Sequence, residues 1–358
     1  MRSPVLTAAA ISVALFAGTA GHASAAMVKG IEDDRLMLSD DPADRAAFWD
    51  AVEEAGAKTV RVVPRWPIGA ETVPEDTMLR LRRAATEGQV AGAKLLVGIY
   101  HGLARGKPTS FRVDAATQLA YVRYAQSLAK GLSDLPIAGY LTWNEPNYAT
   151  TWPQAQARDW VALSNRTYRA IRRSDPGVPI LAGEASPNVR NTNSKSTNPG
   201  AFFRKALCLN AAYKPQNRSA SCRGTKLLAD GFTLHTYDFT GSPLRANKNP
   251  DAWVHGNLGQ AISQLRKLAK AKRITVKASR NVHITEFAYR SKQPNRTDPK
   301  LAASYTRLAW NSAKKAGIKS FVWYLLRDPS NPEDNFASGL FSSTGTPYPV
   351  WNVFKGLK

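Results

Sequence analysis

The chain has 358 residues, too long for a small disulfide-held scaffold and within the range of an α/β barrel carrying loop insertions. Its 49 lysines and arginines against 27 acidic residues give a formal charge of +22, a field that draws anionic polymers to the surface. The cations are scattered with no recognisable nucleic-acid module, and no apolar stretch approaches the roughly 18 uncharged residues of a membrane span.

Residues 1–26 carry Arg2, an apolar run from Val5 to Ala17 and the small triplet Ala23-Ser24-Ala25, the pattern of a secretory signal peptide. Export of a soluble, monomeric chain, with one domain over 27–358, is therefore expected. Beyond this point, short apolar runs rich in β-branched residues alternate with amphipathic stretches, the signature of βαβ units. The first strand is expected near 28 to 32 or 35 to 38. The others begin at Lys58, Lys94, Ile137, Pro179, Gly231, Asn281 and Lys319.

Helices are predicted from Asp44, Glu75, Asp114, Gln154, Leu258 and Asp298. In the fourth, Trp160, Leu163 and Ile171 share a face; the last has Pro299 near its start and Gly317 at its end. Eight strands alternating with helices predict a single-domain (β/α)8 TIM barrel. The longest irregular stretches, 184 to 200 with the cysteine loop after it, 238 to 251, 288 to 298 and 327 to 338, follow strands and so fall on the C-terminal face, where barrels do their chemistry. The two cysteines, Cys208 and Cys222, are expected to form one disulfide in an exported chain, with two free thiols as the alternative.

Two glutamates stand out against this background. Glu145, in Leu141-Thr142-Trp143-Asn144-Glu145-Pro146-Asn147, ends an apolar run that Pro146 stops. Glu286 ends another, Val282-His283-Ile284-Thr285-Glu286-Phe287. A carboxylate beside an apolar strand is costly unless it is paired or used. A single such glutamate is as readily a rim residue reaching solvent, but two at aromatic-flanked strand ends make a pair suited to acid/base chemistry.

These segments resemble the retaining glycoside hydrolases of clan A, most of all the cellulase-type family 5, with family 39 second because it too uses a Trp-Asn-Glu-Pro-Asn segment. The resemblance runs from about residue 28 to the C-terminus, where Gly339-Leu340-Phe341 and Pro347 to Trp351 are similar to the clan's closing segment. It implies Glu145 as acid/base on strand 4 and Glu286 as nucleophile on strand 7. It also implies Arg61 on strand 2, with Arg65 as the competing residue, His101 after strand 3, Asn144 beside the acid, His235 and Tyr237 on strand 6, and Trp323 on strand 8.

Retaining hydrolysis needs two carboxyls about 5 to 5.5 Å apart, one protonated to donate to the leaving oxygen and one ionised to attack the anomeric carbon. Arg61 would keep Glu286 ionised, Asn144 would bond the sugar 2-hydroxyl, and Trp323 would floor the sugar subsite. His235 and Tyr237, two apart on one strand, face the same side; Tyr237 would donate to Glu286, and His235 would orient the acid. Trp66, Trp152 and Trp253 are either further platforms or packing. The expected partner is a β-linked poly- or oligosaccharide, cleaved outside the cell without metal or other cofactor. The alternatives are transfer of the glycosyl group to another sugar, and a catalytically silent barrel that binds glycan or anionic wall polymer.

Overall fold

The computed structural model describes residues 26–100, 114–187, 196–216, 219–238, 241–292, 296–331 and 336–358. Eight strands, β1 (Val28–Glu32), β2 (Thr59–Val62), β3 (Lys94–Gly98), β4 (Ile137–Leu141), β5 (Ile180–Ala185), β6 (Gly231–His235), β7 (Val282–Phe287) and β8 (Ser320–Tyr324), pair in parallel in that order, and β8 returns to β1. The chain is a single (β/α)8 barrel, as its alternating pattern predicts. The ambiguity over the first strand resolves to 28–32, because residues 34–37 form the short helix α1 (Asp34–Met37).

The predicted helices are present as α2 (Pro42–Ala55), α3 (Glu75–Val90), α4 (Ala115–Leu132), α5 (Ala157–Ser174), α7 (Leu258–Lys270) and α9 (Pro299–Lys315). Local chemistry sets their ends. Asp41, Asp114 and Asp298 each accept a hydrogen bond from a backbone N–H in the first turn, satisfying donors that have no partner within the helix. Trp160, Leu163 and Ile171 of α5 are buried together. Among the described residues, α1, α6 (Pro199–Ala206), α8 (Val276–Arg280) and α10 (Pro349–Lys355) escape the periodicity, all too short for a 3.6-residue pattern to declare itself. Among the described residues, no helix is long and apolar enough to cross a membrane.

Alternate strand residues face outward to the helices, where Ile31, Val60, Val97, Tyr140, Phe232, Ile284 and Phe321 join the main core. The inward positions build a different interior. Leu96, Leu141 and Leu181 form a small apolar cluster, and Gly30 leaves no room for a side chain, since a Cβ there would lie 2.9 Å from both the Thr59 carbonyl and Val322. Cys208 and Cys222 form the expected disulfide, with Cα atoms 5.6 Å apart, after α6 in the β5–β6 connection.

One buried cation ties the barrel's end to its last helix. Lys29 donates to the carbonyls of Phe354, Lys355 and Leu357 at 3.0 to 3.1 Å, gathering the carbonyls at the C-terminal end of α10 around one cation. Burial lowers its ammonium pKa to about 8. Lys29→Met is expected to destabilise the fold by about 2 kcal/mol, the scale of hydrogen bonds from a charged donor. Denaturant titration at pH 7 measures the loss, and an unchanged midpoint would reject the role.

Candidate active site

The inward positions at the C-terminal ends of the strands converge on Arg61, which is almost wholly buried on β2. Its Nη1 lies 2.6 Å from Glu32 Oε2 on β1 and 2.8 Å from Glu286 Oε1 on β7. Its Nη2 donates to Asn144 Oδ1 at 2.9 Å and to Glu184 Oε2 on β5 at 2.5 Å. One guanidinium fork thus fixes three carboxylates and the residue preceding Glu145, the geometry for which arginine is suited and lysine is not. The competitor, Arg65, is exposed.

His235 forms the second hub. Its Nδ1 lies 3.0 Å from Glu145 Oε1 and 3.4 Å from Glu286 Oε2, and its Nε2 lies 3.3 Å from Glu184 Oε2. Both ring nitrogens face carboxyl oxygens, which suits an imidazolium with two donors. Burial alone would discharge the ring, but the charges of Glu286 and Glu184, with hydrogen bonds to Glu145 and Glu184, raise its pKa to about 10. Tyr237 donates to Glu286 Oε2 at 2.7 Å, so the pair on β6 and beyond it faces inward, as their spacing predicts. Glu145, His235 and Glu286 also offer three atoms within 4.8 Å of one another. A cation held there would have to displace the His235 proton, which the surrounding carboxylates hold firmly.

Glu184 was not singled out among the candidates. It ends the apolar run Ile180-Leu181-Ala182-Gly183-Glu184, the same signal that marks Glu145 and Glu286. Its side chain turns inward because the β5–β6 register shifts between Ala182 and Ala185. Gly183 takes φ 131° and Glu184 φ 48° there, and a Cβ on Gly183 would lie 2.4 Å from the Thr233 carbonyl. Burial pushes the Glu184 carboxyl up, but Arg61 and His235 outweigh it and hold the pKa at about 2. Glu145 shares the left-handed backbone, φ 46°, a conformation costing about 1–3 kcal/mol in a non-glycine residue. It is held by its N–H donating to the Glu184 carbonyl at 2.8 Å, and by its own carbonyl accepting from Tyr148 N and Thr151 Oγ1.

Burial pushes both Glu32 and Glu286 above the usual carboxylate range, Glu32 well above it. Glu32 has Arg61 as its charged partner, whereas Glu286 also has His235 and Tyr237. The buried cluster thus sets two basic side chains, Arg61 and His235, among the carboxyls of Glu32, Glu184 and Glu286.

Trp323 requires a correction. It is wholly buried, packs against Phe287 and Phe354, and donates from Nε1 to the Ser338 carbonyl at 2.9 Å. It cannot floor a sugar subsite, because alternation along β8 turns it outward to the helices. Tyr324, the next residue, takes the inward position: burial, then the charges of Glu32 and Glu286, push its phenol well above its ordinary range. Phe336 stands 5.2 Å from the Tyr324 ring and 5.4 Å from the Tyr237 ring, with the Arg290 guanidinium 4.5 Å above it. Trp66, Trp152 and Trp253 are buried, which resolves them as packing. His101 lies outside the described residues. Its neighbour Tyr100 is close enough to the cluster that burial, and then the charge of Glu145, raise its phenol to about 12.

The family model Cellulase (glycosyl hydrolase family 5) matches residues 24–328. No curated protein matches the sequence. Solved structures share the fold at low identity. A family 39 glycoside hydrolase from Bacteroides cellulosilyticus WH2 has 18% identity and a TM-score of 0.65, over 92% of this chain and 62% of its own. The exo-β-1,4-mannosidase Op5Man5 from Opitutaceae bacterium strain TAV5 has 15% identity and a TM-score of 0.61, over 92% and 58%. A family 5, subfamily 18 protein from Streptomyces cattleya, in complex with Manβ1-4GlcNAc, has 18% identity and a TM-score of 0.62, over 92% and 79%. The chain thus spans only 62% and 58% of the first two.

Proposed function

Since the chain belongs to glycosyl hydrolase family 5, and is thereby a glycoside hydrolase, we propose that it cleaves β-linked glycans with retention of anomeric configuration, Glu286 acting as nucleophile and Glu145 as acid/base. The observation that carries this is a separation: a carboxyl oxygen of Glu145 lies within 4.8 Å of one of Glu286. Retaining enzymes keep their carboxyls about 5 to 5.5 Å apart, whereas inverting ones leave roughly 6.5 to 9.5 Å for an intervening water. In the first step Glu286 bonds the anomeric carbon while Glu145 gives its proton to the departing oxygen. In the second, Glu145 takes a proton from water as the water oxygen displaces Glu286. Arg61 and His235 counter the effect of burial on Glu286, Tyr237 donates to it, and Arg61 holds Asn144 Oδ1, which orients the Asn144 amide for a sugar 2-hydroxyl. Tyr324, Tyr237 and Phe336 supply the aromatic surface once assigned to Trp323.

We place the reaction outside the cell, on the strength of the pattern in residues 1–26 and of the Cys208–Cys222 disulfide. The +22 charge would favour an anionic glycan or wall setting. The similar structures direct the choice of probes to aryl β-mannosides and β-glucosides, together with β-1,4-linked oligosaccharides. The mature protein, assayed on this panel with the product anomer followed by NMR, is expected to release the β-anomer first. Initial release of the α-anomer would refute retention, and inertness towards every member would favour the silent binding barrel. Products longer than the substrate would assign transglycosylation.

A further inference from the structure

Glu184 is the most completely enclosed carboxylate of the cluster, with no exposed surface, and the double displacement gives it no step. It sits beneath Glu145 and Glu286 and bonds the partners of both. Oε2 accepts from Arg61 Nη2 at 2.5 Å and faces His235 Nε2 at 3.3 Å, while Oε1 accepts from Thr285 Oγ1. Its backbone N–H is bonded to Thr233 Oγ1 at 2.8 Å and its carbonyl accepts from Glu145 N at 2.8 Å. β4, β6 and β7 each touch it, as does Arg61 from β2. We infer that Glu184 is a positioning residue that fixes Arg61 and His235, through one shared oxygen, in the charged arrangement on which Glu286 and Glu145 depend.

Two observations support this. First, both the left-handed backbone at Glu184 and the glycine before it serve to turn this side chain inward; without the register shift it would face the helices. A strained conformation costing about 1–3 kcal/mol persists only where its surroundings over-determine it. Second, it pairs two buried basic side chains at once, with Arg61 Nη2 at 2.5 Å and His235 Nε2 at 3.3 Å. Facing the cluster are Glu32 from β1, Arg61 from β2, Glu145 from the end of β4, His235 and Tyr237 from β6, and His283 and Glu286 from β7. His283 is kept neutral by burial, with a pKa of about 4. Without Glu184, Arg61 Nη2 would keep Asn144 Oδ1 but no carboxylate, and His235 Nε2 would lose its carboxyl partner, so the buried ring could not keep its proton as readily.

This inference rests on the glycosidase reading, so its test includes a readout that needs no substrate. Wild type and Glu184→Gln are compared by imidazole NMR titration and by the pH dependence of kcat/KM on whichever aryl glycoside wild type cleaves. His235 is expected to hold its proton beyond pH 8 in wild type and to lose it at least about one unit lower in the variant. The basic limb of kcat/KM should move in the same direction, and kcat should fall by about tenfold or more while KM changes by less than about twofold. Glu184→Asp keeps the charge and should restore the wild-type His235 titration with part of kcat. An unmoved His235 titration in Glu184→Gln, or equal losses in the Asp and Gln variants, would overturn the inference. Should Glu184→Gln not fold, Thr285→Val removes one of its bonds without altering charge; a wild-type kcat there would overturn it too. Inertness of the wild type towards every aryl glycoside would instead sink the glycosidase reading and leave the titration result standing.

Discussion

Glu286→Ala is expected to lower kcat on an activated aryl β-glycoside by on the order of 10⁴-fold or more, the scale seen when the nucleophile of a covalent mechanism is removed. The fold should survive. Arg61 keeps Glu32 and Glu184 as partners, and His235 keeps Glu145 and Glu184, so no buried cation is stranded. The truncation also opens space beside the anomeric carbon, next to the donors of Arg61 and Tyr237. A small anion such as azide should enter it, form the C–N bond as the aryloxide departs, and restore part of the turnover. Its product should be the α-glycosyl azide, because azide attacks from the face Glu286 occupied. Recovery of a β-azide, or wild-type turnover without azide, would remove Glu286 from the nucleophile's place.

How far the sequence carries this site depends on the regularity of each strand. On β6 the two-residue alternation is unbroken, so His235 and Tyr237 were rightly expected on one face. On β8 the same alternation, applied strictly, places Val322 and Tyr324 inward and Trp323 outward; the resemblance overrode the parity and placed Trp323 wrongly. On β7 consecutive residues Thr285 and Glu286 both face inward, which a regular strand forbids. The register shift between Ile284 and Phe287 permits it, and no residue in that run announces a bulge. Gly183 does hint at one on β5, since an isolated glycine within a strand often marks a bulge or a close backbone approach.

The barrel itself was legible because its long helices carry strong apolar periodicity and its strands are short, β-branched and evenly alternated with them. What periodicity could not convey was the number of buried carboxylates. Glu32 and Glu184 end apolar runs just as Glu145 and Glu286 do, and that common ending was the available signal. The resemblance names only two glutamates, and the other two passed as ordinary strand termini. Their function is electrostatic, so they emerge only once Arg61 and His235 are seen between them.

That electrostatic dependence makes Arg61→Met the more severe test of the fold. The substitution keeps most of the side-chain volume but leaves Glu184 and Glu286 without their guanidinium and Glu32 without its hydrogen-bond donor. Breaking a buried pair by removing one partner typically costs about 3–5 kcal/mol, because the remaining charge is uncompensated. The sign of its pH dependence follows from linkage. In wild type, Glu184 titrates at about 2, below its unfolded value of about 4.3; its contribution is present above that value and lost as pH falls through the folded pKa. Without Arg61, burial dominates: the folded pKa of Glu184 rises above the unfolded one, and that of Glu286, already raised, rises further. The folded variant then binds more protons than the unfolded chain, so its stability falls as pH rises. The deficit of Arg61→Met relative to wild type should therefore be small near pH 4.5 and widen towards pH 8, when measured by urea denaturation at each pH. Adding Glu184→Gln should recover part of the loss at pH 8, since it removes one of the stranded charges. A deficit independent of pH would mean that Arg61 contributes packing and not charge compensation.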